Sequence, residues 1–150
     1  MLAARPGTYV VALAPMVAGP VQIGRLGTLV LDRGVLLYVG SALGPGGVAA
    51  RCGHHLRVAR RPRWHLDWLR PHVRVLGIWV VYGGERREHG WARALAGLPG
   101  AGIPLPRFGA SDCRCAAHLI QVPRLPGDEV LVGSGLLASA RPTHYALIHP

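Results

Sequence analysis

The sequence predicts an α/β fold, with a small and mainly antiparallel central sheet flanked by helices. Short runs rich in β-branched and apolar residues predict strands, and segments that follow turn signals predict helices. Half of the 150 residues are apolar and only 16% are charged. This composition excludes a disordered chain, and the length suits one domain with a substantial core.

Apolar runs bounded by glycine and proline locate the strands. The longest, Val73–Tyr82, is apolar nearly throughout, which predicts a central strand buried on both faces. Two short runs flank Leu26-Gly27 and predict a hairpin. Residues 126–150 are expected to add one or two edge strands. The other predicted strands are Thr8–Ala14, Val21–Arg25, Thr28–Leu31, Val35–Gly40 and Leu119–Val122.

Turn signals locate three helices. Leu-Gly-Pro-Gly-Gly at 43–47 opens a helix predicted over 48–60, before Pro62. A short helix is predicted at Trp64–Leu69, before Pro71. Gly83-Gly84 precedes a third over 86–96, in which Gly90 costs about 1 kcal/mol relative to alanine.

The uncharged stretch Pro6–Gly24 has two interpretations. Arg5 followed by Tyr9–Ala14 is also the pattern of a short signal peptide, with Ala12-Leu13-Ala14 as its cleavage site. Pro15 and Gln22 are unsuited to a membrane-spanning helix, and we predict a strand. Three cysteines do not make a disulfide framework, so we expect a reducing, cytoplasmic location and no membrane partner.

The charge balance predicts a nucleic-acid partner. The formal net charge is +10, and all 17 basic residues are arginine. The planar guanidinium matches phosphate oxygens with paired donors. A coding bias toward arginine would explain the missing lysines, but it would not explain the excess of base over acid.

Two tripeptides predict where the chemistry lies. Gly7-Thr8-Tyr9 and Tyr38-Val39-Gly40 each place a glycine near a tyrosine in a predicted strand. On adjacent strands, both phenols would reach one surface. Arg51 and His55 are four residues apart and project from one helix face. Phenol, guanidinium and imidazole groups around one cleft suit phosphate chemistry.

With the segments Trp64-His65-Leu66-Asp67 and Ser111–His118, this pattern resembles the GIY-YIG nuclease superfamily over about residues 5–122. It is most similar to a subfamily that occurs alone or fused to DNA glycosylases of the endonuclease III type. The resemblance implies a GIY-YIG-like domain at 1–125, with 126–150 as an extension packed on it. The spacer between the tripeptides is far longer than in typical members.

The resemblance implies a catalytic set that lines one concave surface. Glu88, in Glu88-His89-Gly90-Trp91-Ala92, matches the catalytic glutamate and would hold one Mg²⁺ or Mn²⁺ ion. Glu85 is the competing carboxylate, but we expect it in the turn. The implied catalytic residues are Tyr9, Tyr38, Arg51, His55 and Glu88.

Residue chemistry suggests a role for each group. Arg51 would clamp phosphate oxygens, and Tyr38 would position phosphate or water. Tyr9 would orient or deprotonate the water if nearby cations lowered its pKa from about 10. His55 would move a proton or order Tyr9. Taken singly, each residue also has an ordinary structural role.

Further residues are predicted to contact the nucleic acid. Gly40 would let a phosphate approach the backbone, and Ser41 follows it. Four arginines continue from the Arg51 helix and would follow a nucleic-acid backbone, although such a run is often only a solvated face. They are Arg57, Arg60, Arg61 and Arg63.

Cys113, Cys115 and His118 form a weak zinc pattern, with His89 as a fourth ligand. Because Cys-x-Cys-x-x-His lacks a second ligand pair, we favour a structural loop in which Asp112 caps a turn. His65 and Asp67 are expected to be structural or substrate-contacting residues rather than the catalytic centre.

The resemblance and the charge balance together predict a metal-dependent endonuclease that acts on DNA in repair or processing. The sequence leaves open whether RNA competes with DNA and whether a repair glycosylase is a partner. The alternatives are a non-catalytic nucleic-acid-binding module and a zinc-stabilised interaction domain that docks an acidic protein.

Overall fold

A computed structural model describes residues 2–127 and the backbone of the strand Thr143–Ala146. The strands are β1 Gly7–Pro15, β2 Gly19–Ile23, β3 Gly27–Leu31, β4 Val35–Ala42, β5 Val73–Tyr82, β6 Leu119–Val122 and β7 Thr143–Ala146. The helices are α1 Gly47–His55, α2 His65–Leu69 and α3 Glu88–Ala96, with a 3₁₀ turn at Arg70–His72 after α2.

The main sheet has five strands in the order β6-β4-β1-β5-β7, and every neighbouring pair is antiparallel. Strands β2 and β3 form a separate hairpin. The predicted α/β class and the hairpin are confirmed. Strand β5 is internal, but the central position predicted for it belongs to β1. The strand interpretation of the uncharged N-terminal stretch is therefore confirmed.

The sheet separates two cores, because side chains alternate faces along each strand. One face of β1 carries Tyr9 and Val11 and packs with α1, α2 and the β2–β3 hairpin. The opposite face carries Val10 and Ala12 and packs against Trp91 of α3. The chain is thus layered, with α1, α2 and the hairpin on one side of the sheet and α3 on the other.

Helix α1 is shorter than predicted, ending at His55 rather than near residue 60. The Arg70 guanidinium donates to the carbonyl oxygens of His55 and Leu56, at 2.8 and 3.0 Å. These carbonyls lie at the C-terminal end of α1, where the last four have no partner within the helix. The cap comes from a residue distant in sequence, so local patterning did not reveal it.

The remaining boundaries agree closely with expectation. Helix α3 begins at Glu88, two residues later than predicted, and Glu85 lies in the preceding turn. Strand β7 pairs with β5 as one of the edge strands expected in 126–150. The rest of that segment, 128–142 and 147–150, lies outside the described residues. Within the described part of the chain, no helix is long and apolar enough to cross a membrane.

Two glycines of the tripeptides permit close packing. Gly40 lies opposite Tyr9 in the β1–β4 register, and a Cβ at Gly40 would overlap the Tyr9 phenol ring. A Cβ at Gly7 would lie 2.8 Å from Cγ2 of Val48 in α1. Gly40 therefore makes room for the Tyr9 ring across the neighbouring strand, which differs from the phosphate contact expected from sequence.

Replacing Gly40 with alanine should therefore destabilise the protein by about 1–3 kcal/mol, the range typical of an overpacked core. Gly53→Ala is the matched control, because a Cβ at Gly53 meets nothing within 4 Å and alanine favours helix by about 1 kcal/mol over glycine. Urea denaturation of both variants measures the difference. Equal stability of Gly40→Ala and the unmodified protein would contradict the packing role.

Candidate active site and metal cluster

A buried hydrogen bond joins Tyr9 on β1 to His55 at the end of α1. The Tyr9 hydroxyl lies 2.9 Å from His55 Nε2, and both side chains are only 1% exposed. The other ring nitrogen, Nδ1 of His55, is buried and has no hydrogen-bond partner among the described residues. The pair therefore sets how α1 sits on the sheet and leaves one polar atom unsatisfied.

Burial controls the protonation of this pair. It is the main reason why the pKa of His55 falls to about 3, with the charges of His54 and Arg51 lowering it further. Burial also raises the pKa of Tyr9 well above its usual value, and the opposing effect of Arg51 is smaller. Arg51 does lower the pKa of Tyr9, as suggested from sequence, but burial outweighs its effect. Near pH 7, a neutral imidazole faces a protonated phenol.

Tyr38 lies beside this pair, on β4. Its ring packs edge-on against His55 and Phe108, with centroid distances of 5.5 and 6.1 Å. Burial raises the pKa of Tyr38 to about 12, while Arg51 lowers it and Glu88 raises it. Among residues 2–127, no partner is found for its hydroxyl. Tyr38 is thus a protonated phenol, whose pKa Arg51 and Glu88 shift in opposite directions.

Arg51 is held by an aromatic ring rather than by a carboxylate. Its guanidinium carbon lies 4.4 Å from the centre of the Trp64 ring, and that of Arg63 lies 5.3 Å from the same centre. The N–H donors of a guanidinium point outward in its own plane. A guanidinium that rests on an aromatic face can therefore still donate to an anion. Trp64 thus orients two of the arginines that the sequence predicted to contact phosphate.

Asp67 fixes the segment that carries Trp64. Its buried carboxylate accepts hydrogen bonds from the backbone N–H groups of Arg63 and Trp64, at 2.7 and 3.0 Å. It also lies 2.8 Å from His54 Nε2. Burial acts to raise the pKa of Asp67, but these hydrogen bonds outweigh it and leave the pKa lowered. Asp67 therefore caps α2 and ties it to α1.

His65 has a comparable structural contact. Its Nδ1 accepts a 2.8 Å hydrogen bond from the backbone N–H of Gly109, whose φ of +72° suits glycine. A Cβ at Gly109 would lie 3.1 Å from both His118 and Tyr38. His65 thus holds the loop that borders Tyr38.

Glu88 approaches from the other layer of the fold. Helix α3 packs on the sheet face opposite α1, so the five predicted catalytic residues do not share one face. Glu88 is the first residue of α3, and its Oε2 lies 3.8 Å from His118 Nδ1. Its charge raises the pKa of both Tyr9 and Tyr38. Tyr9, Tyr38, Arg51 and His55 therefore form one group, which the carboxylate influences from beyond His118.

A second cluster lies next to Glu88. One ligand atom from each of four residues lies within 4.8 Å of every other, an arrangement that could hold a metal ion. None of the three cysteines is in a disulfide. The structure brings His89 to the Cys-x-Cys-x-x-His segment and supplies the ligand that the sequence pattern lacked. The segment therefore has an arrangement that could hold a metal ion, which the preference for a structural loop did not expect. The four residues are His89, Cys113, Cys115 and His118.

Arginines line two separate hollows. The smaller, of about 320 Å³, is bordered by Arg51, Arg57, Arg63 and Trp64. The larger, of about 1060 Å³, borders the His/Cys cluster. Its arginines were not singled out from sequence, because they come from three segments that only the fold brings together. They are Arg86, Arg87, Arg93 and Arg114.

The other predicted nucleic-acid residues are dispersed. Arg60 borders a different hollow, with Pro62 and Trp68, and Arg61 is exposed. Ser41 is half-buried and lies opposite Thr8 on β1. The arginine run does not extend a helix, because α1 ends before it.

Asp67→Asn should lower stability most at neutral pH. A carboxylate whose pKa is lowered by folding contributes stability above its unfolded pKa of about 3.9, and this contribution disappears as the pH falls through the folded pKa. The stability difference between the unmodified protein and the variant should therefore shrink below about pH 4. Urea denaturation at several pH values tests this, with exposed Asp32→Asn as the control. A difference that does not vary with pH would contradict the charged role of Asp67.

Comparison with known proteins identifies a family but no activity. Neither the curated proteins nor the solved structures gave a match to the chain. A family model matches residues 8–132, described as Domain of unknown function DUF123. This match spans every element from β1 to β6. The chain therefore belongs to the DUF123 domain family.

Proposed function

We propose that the protein is a divalent-metal-dependent endonuclease of the GIY-YIG type, which hydrolyses phosphodiester bonds in DNA during repair or processing. One observation carries the proposal: both phenols contact His55, and the Trp64 ring lies against both His55 and Arg51. Glu88 would add a carboxylate from the start of α3. Phosphodiester hydrolysis needs a cation, hydrogen-bond donors and a carboxylate around one phosphate.

Arg51 and Tyr38 are the groups that would face the substrate, although Tyr38 is only 9% exposed. Arg51 is half-buried and presents its donors from the face of Trp64, so it would bind the non-bridging oxygens in pairs. Tyr38, with its protonated hydroxyl, would donate to a phosphate oxygen or to the attacking water. Both groups would neutralise the charge that develops on the phosphate.

Of the roles that residue chemistry suggested for Tyr9 and His55, we keep the ordering of Tyr9 by His55 and not proton transfer. Both are buried, and the pKa of each is shifted away from neutrality. Neither is suited to exchange protons with water near pH 7. They are positioning residues: their hydrogen bond fixes the helix that carries Arg51 and the ring against which Tyr38 packs.

Glu88 is the residue that would hold the metal. A hard divalent cation such as Mg²⁺ takes one or two carboxylates and completes its shell with water and phosphate oxygens. Its side chain is 17% exposed, so the carboxylate is not fully enclosed by the protein. The ion would supply charge neutralisation and stabilise the leaving oxygen.

A non-catalytic nucleic-acid-binding module on the same fold is the second candidate. It is favoured by the pKa values of Tyr9 and His55, which leave no side chain of this pair ready to act as a base. The arginine-lined hollows serve both functions equally. Cleavage, rather than binding, separates the two candidates.

Glu88→Gln should lower plasmid nicking in Mg²⁺ or Mn²⁺ by roughly 100-fold or more, because the lost charge is worth several kcal/mol in the transition state. DNA binding should persist or strengthen, since a negative charge near the phosphates has been removed.

Glu85→Gln is the matched control. This carboxylate is 76% exposed in the turn before α3 and pairs with Arg87 at 2.9 Å, so its loss should leave nicking unchanged. Loss of nicking only in Glu85→Gln would show that the other glutamate is the metal ligand. Salt-sensitive binding without nicking in the unmodified protein would favour the binding module.

A second test concerns the basic hollow that contains Arg51. Duplex binding should weaken with salt, with a log–log slope of about −0.9 for each phosphate neutralised. Replacing Arg57 and Arg63 together by alanine should flatten that slope, because both line the hollow with Arg51.

The double variant in which Arg60 and Arg61 are replaced by alanine is the matched control. We expect a smaller change, since Arg60 borders another hollow. Fluorescence anisotropy on two unrelated duplexes measures both slopes. An unchanged slope in both double variants would mean that these arginines are only solvated.

A further inference from the structure

We propose that His89, Cys113, Cys115 and His118 bind one zinc ion, and that Glu88 orients both histidine ligands from outside the site. The ligands come from two places in the fold. His89 is in the first turn of α3, and the other three residues lie in the loop that leads into β6. The zinc site stands independently, whereas its link to cleavage rests on the proposed function.

The inward-facing atoms fit a tetrahedral ion. His89 Nδ1 lies 3.1 Å from Cys115 Sγ, and His118 Nε2 lies 3.5 Å from Cys113 Sγ. With Zn–S near 2.3 Å and Zn–N near 2.0 Å, ligand atoms of a tetrahedral site are roughly 3.3–3.8 Å apart. All four atoms lie within 4.8 Å of one another, so small side-chain movements complete the geometry.

The donor set selects zinc over the hard cations. Two thiolates and two imidazoles are ligands for zinc, whereas magnesium and manganese prefer oxygen. Four protein ligands close the coordination shell, as in structural zinc sites. The cluster therefore does not compete with Glu88 for the proposed catalytic ion.

The carboxylate of Glu88 faces the outer nitrogen of each histidine. Its Oε2 lies 3.8 Å from His118 Nδ1, and its Oε1 lies 3.9 Å from His89 Nε2. A closure of about 1 Å would turn both approaches into hydrogen bonds of ordinary length. Histidine ligands commonly donate their second N–H to a carboxylate, which fixes the tautomer and the ring orientation.

Zinc binding would stabilise the first turn of α3, which is weak on its own. The helix has nine residues, begins after Arg87 without a side-chain cap, and carries Gly90 in its first turn. A short, uncapped helix with a glycine there is locally weak. Ligation of His89 would anchor that turn to the loop that holds His118, and it would fix the position of Glu88 at the start of α3.

Metal analysis of protein that carries no affinity tag should find one zinc per chain. Cys113→Ser and Cys115→Ser should each reduce the zinc content at least tenfold. Cys52→Ala is the control, because this buried thiol belongs to the core beneath α1, and its zinc content should stay at one. Absence of zinc from the unmodified protein after refolding with zinc would overturn the site, as would full retention in both serine variants.

Cobalt substitution covers the case in which the serine variants do not fold. Unmodified chain refolded with Co²⁺ should show the strong visible bands and thiolate charge-transfer absorption of a tetrahedral S₂N₂ site. Weak bands typical of octahedral cobalt, without thiolate absorption, would overturn the assignment.

A chelator competition tests Glu88 without using activity. Loss of a carboxylate that orients a histidine ligand typically weakens metal affinity by about 10–100-fold. Glu88→Gln should therefore release zinc at correspondingly lower chelator concentration, while Glu85→Gln should behave like the unmodified protein. Identical release curves for Glu88→Gln and the unmodified protein would overturn the role of Glu88. A zinc-loaded protein that does not nick DNA would instead refute the proposed function and leave the zinc site standing.

Discussion

The buried hydrogen bond between the Tyr9 hydroxyl and His55 Nε2 is the interaction on which the site depends. A phenol and an imidazole out of contact with water must satisfy each other, because an unpaired buried polar group costs about 1–3 kcal/mol. The bond joins the central strand to the end of α1. Arg51 lies one helical turn earlier, so the same contact determines where its guanidinium can reach. Gly40 leaves room for the Tyr9 ring. The glycine of the second tripeptide is therefore needed for the tyrosine of the first to pack as it does.

The strands could be predicted because their signal is local. β-Branched and apolar runs between glycine-rich turns marked β1 to β6 to within two residues or so. The end of α1 could not be predicted, because Arg70 caps it from across a loop and a short helix. A side-chain cap that arrives through tertiary contacts leaves no trace in the helix sequence itself.

The metal cluster is a second case in which tertiary packing brings together residues that no local sequence signal connects. Three of its residues stand in one short segment, but the fourth, His89, is 24 residues before Cys113 and belongs to another element. Only the packing of α3 beside the loop before β6 brings them together. The sheet face on which Glu88 lies could not be predicted either. A sequence pattern gives the order of residues along the chain but does not assign them to sheet faces. The protonation of Tyr9 depends on burial, which the sequence did not specify at that position.

The borders of the main sheet are formed by its two shortest strands, β6 and β7, of four residues each. An exposed strand border offers unpaired backbone groups to any other extended chain, so long borders favour aggregation. The border at β6 is partly closed, because Gly102 and Gln121 exchange two backbone hydrogen bonds of 2.8 Å. The long, apolar strand β1 is thereby paired on both sides over Gly7–Leu13, and β7 covers β5 over Gly77–Val80. A chain with half of its residues apolar thus presents little of its sheet as a template for intermolecular pairing.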